Sequence, residues 1–192
     1  MRCESSELFS VNGHDIDLSV LDFWRWAYSD FSDIINRSAL AEFIVSSSLG
    51  TSSASFKRGR NCNTNLSLIT YDGYRVDIKS AAFIQSINAE YPDRISFRIA
   101  PIKDLNTNDN YNRHEPRKRH SDVHIFCLYK GLSADESPLN LDLWDFYLLP
   151  TKVLEEKLPT QKTISFTSLM RLGPLWCDYY GIGEAIKNVM NA

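Results

Sequence analysis

The run Val123-His-Ile-Phe-Cys-Leu-Tyr129 constrains the fold more than any other segment of this chain. Side chains alternate faces along a strand, and here apolar residues fall on both faces. A strand of this kind must be central in a sheet and covered above and below. Leu143-Trp-Asp-Phe-Tyr-Leu-Leu149 is a second such strand, leading through Pro150 into a helix near Thr151. Ser19 with Asp22 three residues on marks a capping box for a helix from Val20 to about Phe31. Asn36 is expected to cap a second helix over 37–48, with Gly50 just past its end. A hairpin is expected over 66–80, with strands at 95–100 and 163–167 and a helix over 181–190. Residues 81–89 read equally as a short helix or a continuing strand. The fold class expected is α/β, a central mixed β-sheet flanked by helices.

At 192 residues, with 43% hydrophobic and 12% aromatic side chains, the chain is expected to form a single domain over 1–192 with a real core. Residues 1–17 read as an N-terminal arm or a first short strand, and 51–65 and 103–120 as loops, the latter long and basic. The four cysteines, Cys3, Cys62, Cys127 and Cys177, show no C-x-x-C spacing, which argues against a disulfide framework or a structural zinc site. No apolar run is long enough to span a membrane and no signal-peptide core is present, so a cytoplasmic protein is expected. Net charge is −3, which disfavours non-specific nucleic-acid binding, but the positive charge is clustered. Lys57, Arg58 and Arg60 form one basic group; Arg117, Lys118 and Arg119 belong to another.

Chemistry enters with the hairpin. Tyr71-Asp72-Gly73 is a turn signal, and on the strand that follows Arg75, Asp77 and Lys79 share one face. A carboxylate and an ammonium two residues apart suit a divalent cation and a polarised water, the requirements of phosphodiester hydrolysis. The tripeptide alone is weak evidence, since Glu155-Glu156-Lys157 matches the same pattern. Taken in isolation, a same-face ion pair on a half-solvated strand is the better account of it.

The surroundings add a resemblance. Glu42 on an early helix, followed by the hairpin with Asp77-Ile78-Lys79, resembles the PD-(D/E)xK nuclease superfamily, which has the restriction-endonuclease-like fold. The likeness is closest to a group of uncharacterised bacterial proteins and runs through nearly the whole chain. It includes Leu40-Ala-Glu-Phe-Ile-Val45, Asp72-Gly-Tyr-Arg-Val-Asp-Ile-Lys-Ser-Ala-Ala-Phe-Ile-Gln85 and Leu143-Trp-Asp-Phe-Tyr-Leu-Leu-Pro150. The resemblance implies a Mg²⁺ (or Mn²⁺) site formed by Glu42, Asp77 and the Ile78 carbonyl. Lys79 would then assist the attacking water, and Gln85 would orient a neighbouring group. It further implies DNA as substrate, phosphate contacts from the two basic clusters and, by analogy with duplex cleavage, a homodimer.

One position departs from the pattern. With Tyr71-Asp72-Gly73 as a three-residue loop, residue 67 faces Asp77, and the resembling proteins have aspartate there where this chain has Ser67. A neutral hydroxyl weakens a Mg²⁺ site. The expectation is therefore a metal-dependent nuclease impaired at Ser67, or else a catalytically inactive nucleic-acid-binding or defence-system accessory module of the same fold. In either case Glu42, Asp77 and Lys79 are expected to converge, with the loops 51–65 and 108–120 flanking the groove.

Overall fold

The computed structural model describes residues 3–50, 68–83, 95–102, 117–133 and 135–192. In chain order the elements are β1 (Leu8–Val11), β2 (His14–Ser19), α1 (Val20–Tyr28), α2 (Ile34–Ser48), β3 (Leu68–Tyr71), β4 (Tyr74–Ala82) and β5 (Ser96–Arg98). They continue with β6 (Val123–Tyr129), β7 (Trp144–Pro150), α3 (Thr151–Lys157), β8 (Thr163–Ser165), α4 (Phe166–Arg171), β9 (Leu175–Cys177) and α5 (Ile182–Asn191).

The main sheet has the order β3-β4-β6-β7-β9. Only β4 and β6 run parallel, and the other neighbours are antiparallel, so the sheet is mixed. Every residue of β6 is buried, as its two apolar faces require. On one face Val76, Ile78 and Ala82 of β4 join Val123, Ile125 and Cys127 of β6, beneath α2 and α5. On the other, Ala81, Phe126, Leu128, Tyr147 and Leu149 pack against Phe97 and Ile99 and against Leu154, Ile164 and Leu169. That second layer consists of α3, α4 and the two-stranded β5–β8 ribbon, which is antiparallel.

Local chemistry explains most element ends. Ser19 and Asp22 form the expected capping box, although α1 stops at Tyr28 rather than Phe31. The cap of α2 is Asp33, not Asn36: its carboxylate accepts from the Ile35 and Asn36 amides, so the helix starts three residues earlier than expected. Asn36 instead points its amide back to the Ala27 and Asp30 carbonyls and fixes the α1–α2 corner. The segment 163–167 is strand only to Ser165, whose hydroxyl caps α4. The strand β4 continues through Ala82, which decides the ambiguous segment as far as that residue.

The β3–β4 turn holds two residues, Asp72 and Gly73, both with positive φ (50° and 83°). This is the primed hairpin geometry that matches strand twist. It pairs Thr70 with Arg75 and Leu68 with Asp77. The expected register is therefore off by one, and Leu68 holds the position facing Asp77. Ser67 lies outside the described residues.

Candidate functional site

Asp77 sits mid-strand on β4 and is 4% exposed. Strand alternation sets its side chain on the face away from α2, among His124 of β6 and its own neighbour Lys79. Lys79 Nζ lies 2.9 Å from Asp77 Oδ1, and His124 Nε2 lies 3.3 Å from Oδ2. The Lys79 ammonium is thus the group that holds Oδ1, which finds no further donor among the described residues. Burial pushes the Asp77 carboxyl up. The Lys79 charge and the His124 hydrogen bond and charge outweigh it and hold the group below the usual carboxylate range.

The chain of polar groups continues beyond the histidine. His124 Nδ1 is 3.0 Å from Thr151 Oγ1 and 3.3 Å from Ser121 Oγ, and the two hydroxyls are 3.0 Å apart. Asp77 can only accept, so Nε2 carries the proton it donates; in the neutral ring Nδ1 then accepts from the Thr151 hydroxyl. Ser121, His124 and Thr151 are all buried. The result is a hydrogen-bonded Asp–His–Thr–Ser chain that ties β4, β6 and the start of α3 together. A buried histidine within an apolar strand was visible in the sequence. Its partner was not, because the Asp77–His124 pairing follows from the β4–β6 register.

Beside this chain, at the start of β4, Arg75 makes a two-pronged pair with Asp122: Nη2 to Oδ1 at 2.8 Å and Nε to Oδ2 at 3.2 Å. The Arg75 hydrogen bonds hold the Asp122 carboxyl below its usual range. Arg75 shares the Asp77 face, as expected from its spacing, but its charge is spent on Asp122.

Glu42 does not join the site. Ser38, one turn before it on α2, meets Ser80 of β4 at 3.0 Å, and Ala41, Ile44 and Val45 pack on Val76 and Ile78. That is the face opposite Asp77 and Lys79. The buried thiol of Cys127 on that same side is raised far above its usual range, first by desolvation and then by neighbouring negative charge that includes Glu42. Alternation explains the miss: a helix covering the Ile78 face cannot direct a short glutamate through the sheet to Asp77.

The basic clusters divide as well. Arg119 is 7% exposed. Its guanidinium donates to the carbonyls of Ile99 (2.9 Å), Leu158 (2.8 Å), Gln161 (3.3 Å) and Leu154 (3.5 Å), fastening the end of α3 to the strand after β5. It is a structural cation, which overturns its expected role as a phosphate contact. Arg117 and Lys118 are exposed, and the backbone of Lys118 pairs with Ile102. Lys57, Arg58, Arg60 and Gln85 lie outside the described residues.

The described residues do not fit a Mg²⁺ or Mn²⁺ site. Asp77 faces an ammonium and an imidazole, β3 places Leu68 opposite it, and Glu42 is across the sheet. Among the described residues no group of three His, Cys, Asp or Glu side chains gathers to hold a metal. No helix among them is long and apolar enough to cross a membrane. Comparison with family models, curated proteins and solved structures finds no match to this chain.

Proposed function

We propose that this chain is a nucleic-acid-binding module of restriction-endonuclease-like fold in which the Asp77–Lys79 centre has become a structural polar network. One observation carries the reading. Both oxygens of Asp77 are engaged from within the protein, by Lys79 and His124, and the position facing it is Leu68. Support for nucleic acid comes from the resemblance and from the exposed cations beside the β5–β8 ribbon. Arg98 of β5 lies next to Lys162, whose carbonyl accepts from Ile99, and Arg117 and Lys118 run alongside at the 102–118 bridge. Such a group attracts phosphates without reading sequence.

A second reading, Mg²⁺- or Mn²⁺-dependent DNA hydrolysis at Asp77, is favoured by one feature. Asp77 Oδ1 is buried without a hydrogen bond, as an oxygen awaiting a cation would be. A cation there would have to displace the Lys79 ammonium.

The experiment is fluorescence anisotropy with labelled duplex and single-stranded DNA across a salt series, paired with cleavage assays in Mg²⁺ and Mn²⁺. Binding that weakens steeply with salt, falls in Arg117→Glu/Lys118→Glu and leaves DNA intact is the expected result. Cleavage lost in Asp77→Asn would establish the second reading instead. Absence of binding at low salt would reject both.

A further inference from the structure

Residues 3–28 fold as the β1–β2 hairpin followed by α1, and not one of them is buried. A nine-residue helix is marginal alone in water, so α1 depends on what it packs against. Helical spacing sorts its apolar side chains. Leu21, Trp24 and Tyr28, at i, i+3 and i+7, share the face that looks onto α2, and Trp26 lies on another. On α2 the facing stripe is Asn36, Ala39, Leu40 and Phe43.

Between the two stripes lies an open groove of about 370 Å³, walled by Trp24, Tyr28, Phe31, Ala39 and Leu40 with Asn36 at its base. The corner that shapes it is fixed, because Asn36 donates to the Ala27 and Asp30 carbonyls and Arg37 to those of Phe31 and Ser32. Apolar surface runs on along both stripes, with Leu21 exposed by 37% and Phe43 by 61%. Each stripe spans about 10 Å of helix, two turns. Over that length a docked helix sets apolar anchors at i, i+3 or i+4, and i+7.

We infer that the α1–α2 groove is a docking site for a basic amphipathic helix of another protein. Its apolar side chains fill the groove and its lysines or arginines meet Asp30 and Asp33 beside it. Charge selects this occupant. Residues 3–33 carry seven acidic side chains and one basic, net −6, where the whole chain carries −3. The one base, Arg25, lies 3.9 Å from Asp22. Asp30 and Asp33 stand at the α1–α2 corner: the Asp30 carbonyl and the Asp33 carboxylate both accept from Asn36, the residue at the base of the groove. An apolar trough on so acidic a segment repels nucleic acid and acidic peptides, and a second copy would set one acidic arm against another. A cationic helix with one apolar face matches both the trough and its charge. This inference stands apart from the nucleic-acid reading, since either can fail alone.

The test is fluorescence anisotropy of the full chain with a labelled helical peptide of about fourteen residues, Leu on one face and Lys on the other. Circular dichroism is the folding control. Two further peptides serve as comparisons, one with Glu in place of Lys and one with the same Leu and Lys in shuffled order. The Leu/Lys helix is expected to bind at least roughly tenfold more tightly than either. Ala39→Trp, which fills the groove, and Phe43→Ser, which shortens its apolar wall, should each weaken binding by roughly tenfold. Asp30→Asn should reduce the dependence of binding on salt. Trp26→Ser, 83% exposed and off the groove face, should leave binding unchanged. If one groove variant fails to fold, the other decides. No binding of the Leu/Lys helix overturns the inference, as does equal binding of the shuffled or Glu peptide, or binding indifferent to both groove variants. Sedimentation equilibrium of the free chain covers the remaining occupant: a dimer abolished by Ala39→Trp would seat a second copy in the groove and overturn the inference as well.

Discussion

Asp77 shows how one strand register turns a motif into a different kind of site. A carboxylate two residues from a lysine is chemically ambiguous until its other neighbours are known, and here they are a buried imidazole and a leucine position. Asp77→Ala should remove the buried carboxylate that both Lys79 and His124 contact and cost about 3–5 kcal/mol in urea unfolding. The acid limb of stability carries the same signature. Because the folded carboxyl titrates below the ordinary value of 3.8, its contribution is complete above that pH. It is lost as pH falls through the lower folded value. Asp77→Asn should therefore flatten the loss of stability below that pH relative to wild type, as measured by unfolding at stepped pH; an unchanged acid limb would contradict the pairing. Leu68→Asp would set a second carboxylate opposite the first. Repulsion should lower stability in chelator, and Mg²⁺ should restore part of it, where the wild type gains little. A thermal-shift series with and without the ion reads both effects.

At the scale of elements, two sets of contacts set the geometry around the site. The Asp72-Gly73 turn needs two residues at positive φ, and a Cβ on Gly73 meets open space, so Gly73→Ala isolates the backbone cost. About 1–2 kcal/mol is expected, and Asp72→Asn should be neutral because Asn accepts the same conformation. Arg119 is the second set. Removing a guanidinium that serves four carbonyls should cost roughly 1.5–3 kcal/mol in Arg119→Met. Arg119→Lys should rescue little of it, since an ammonium cannot span the fork. Both are read by denaturant midpoints. Several elements were legible from periodicity and caps: α1, α2, β4, β6, β7 and α5 all lie where their patterns put them, within a few residues at the ends. The helix α4 and the strand β9 were not, for a clear reason. Six and three residues are too short to show a period, and their form is set by what they pack on.

For the whole molecule, the decisive fact is that the sheet separates two cores. The Ile78 face is closed by α2 and α5, the Asp77 face by α3, α4 and the β5–β8 ribbon. Sequence alone determined the mixed α/β class, the central position of β6 and the shared face of Arg75, Asp77 and Lys79. Each of these follows from alternation within a single segment. Whether Glu42 meets Asp77, which residue faces it from β3, that His124 and Thr151 complete its surroundings and that Arg119 is buried were decided only in three dimensions. Each depends on which face a distant helix covers or on how two strands slide past one another. A slide of one residue exchanges every side chain between the two faces of the sheet.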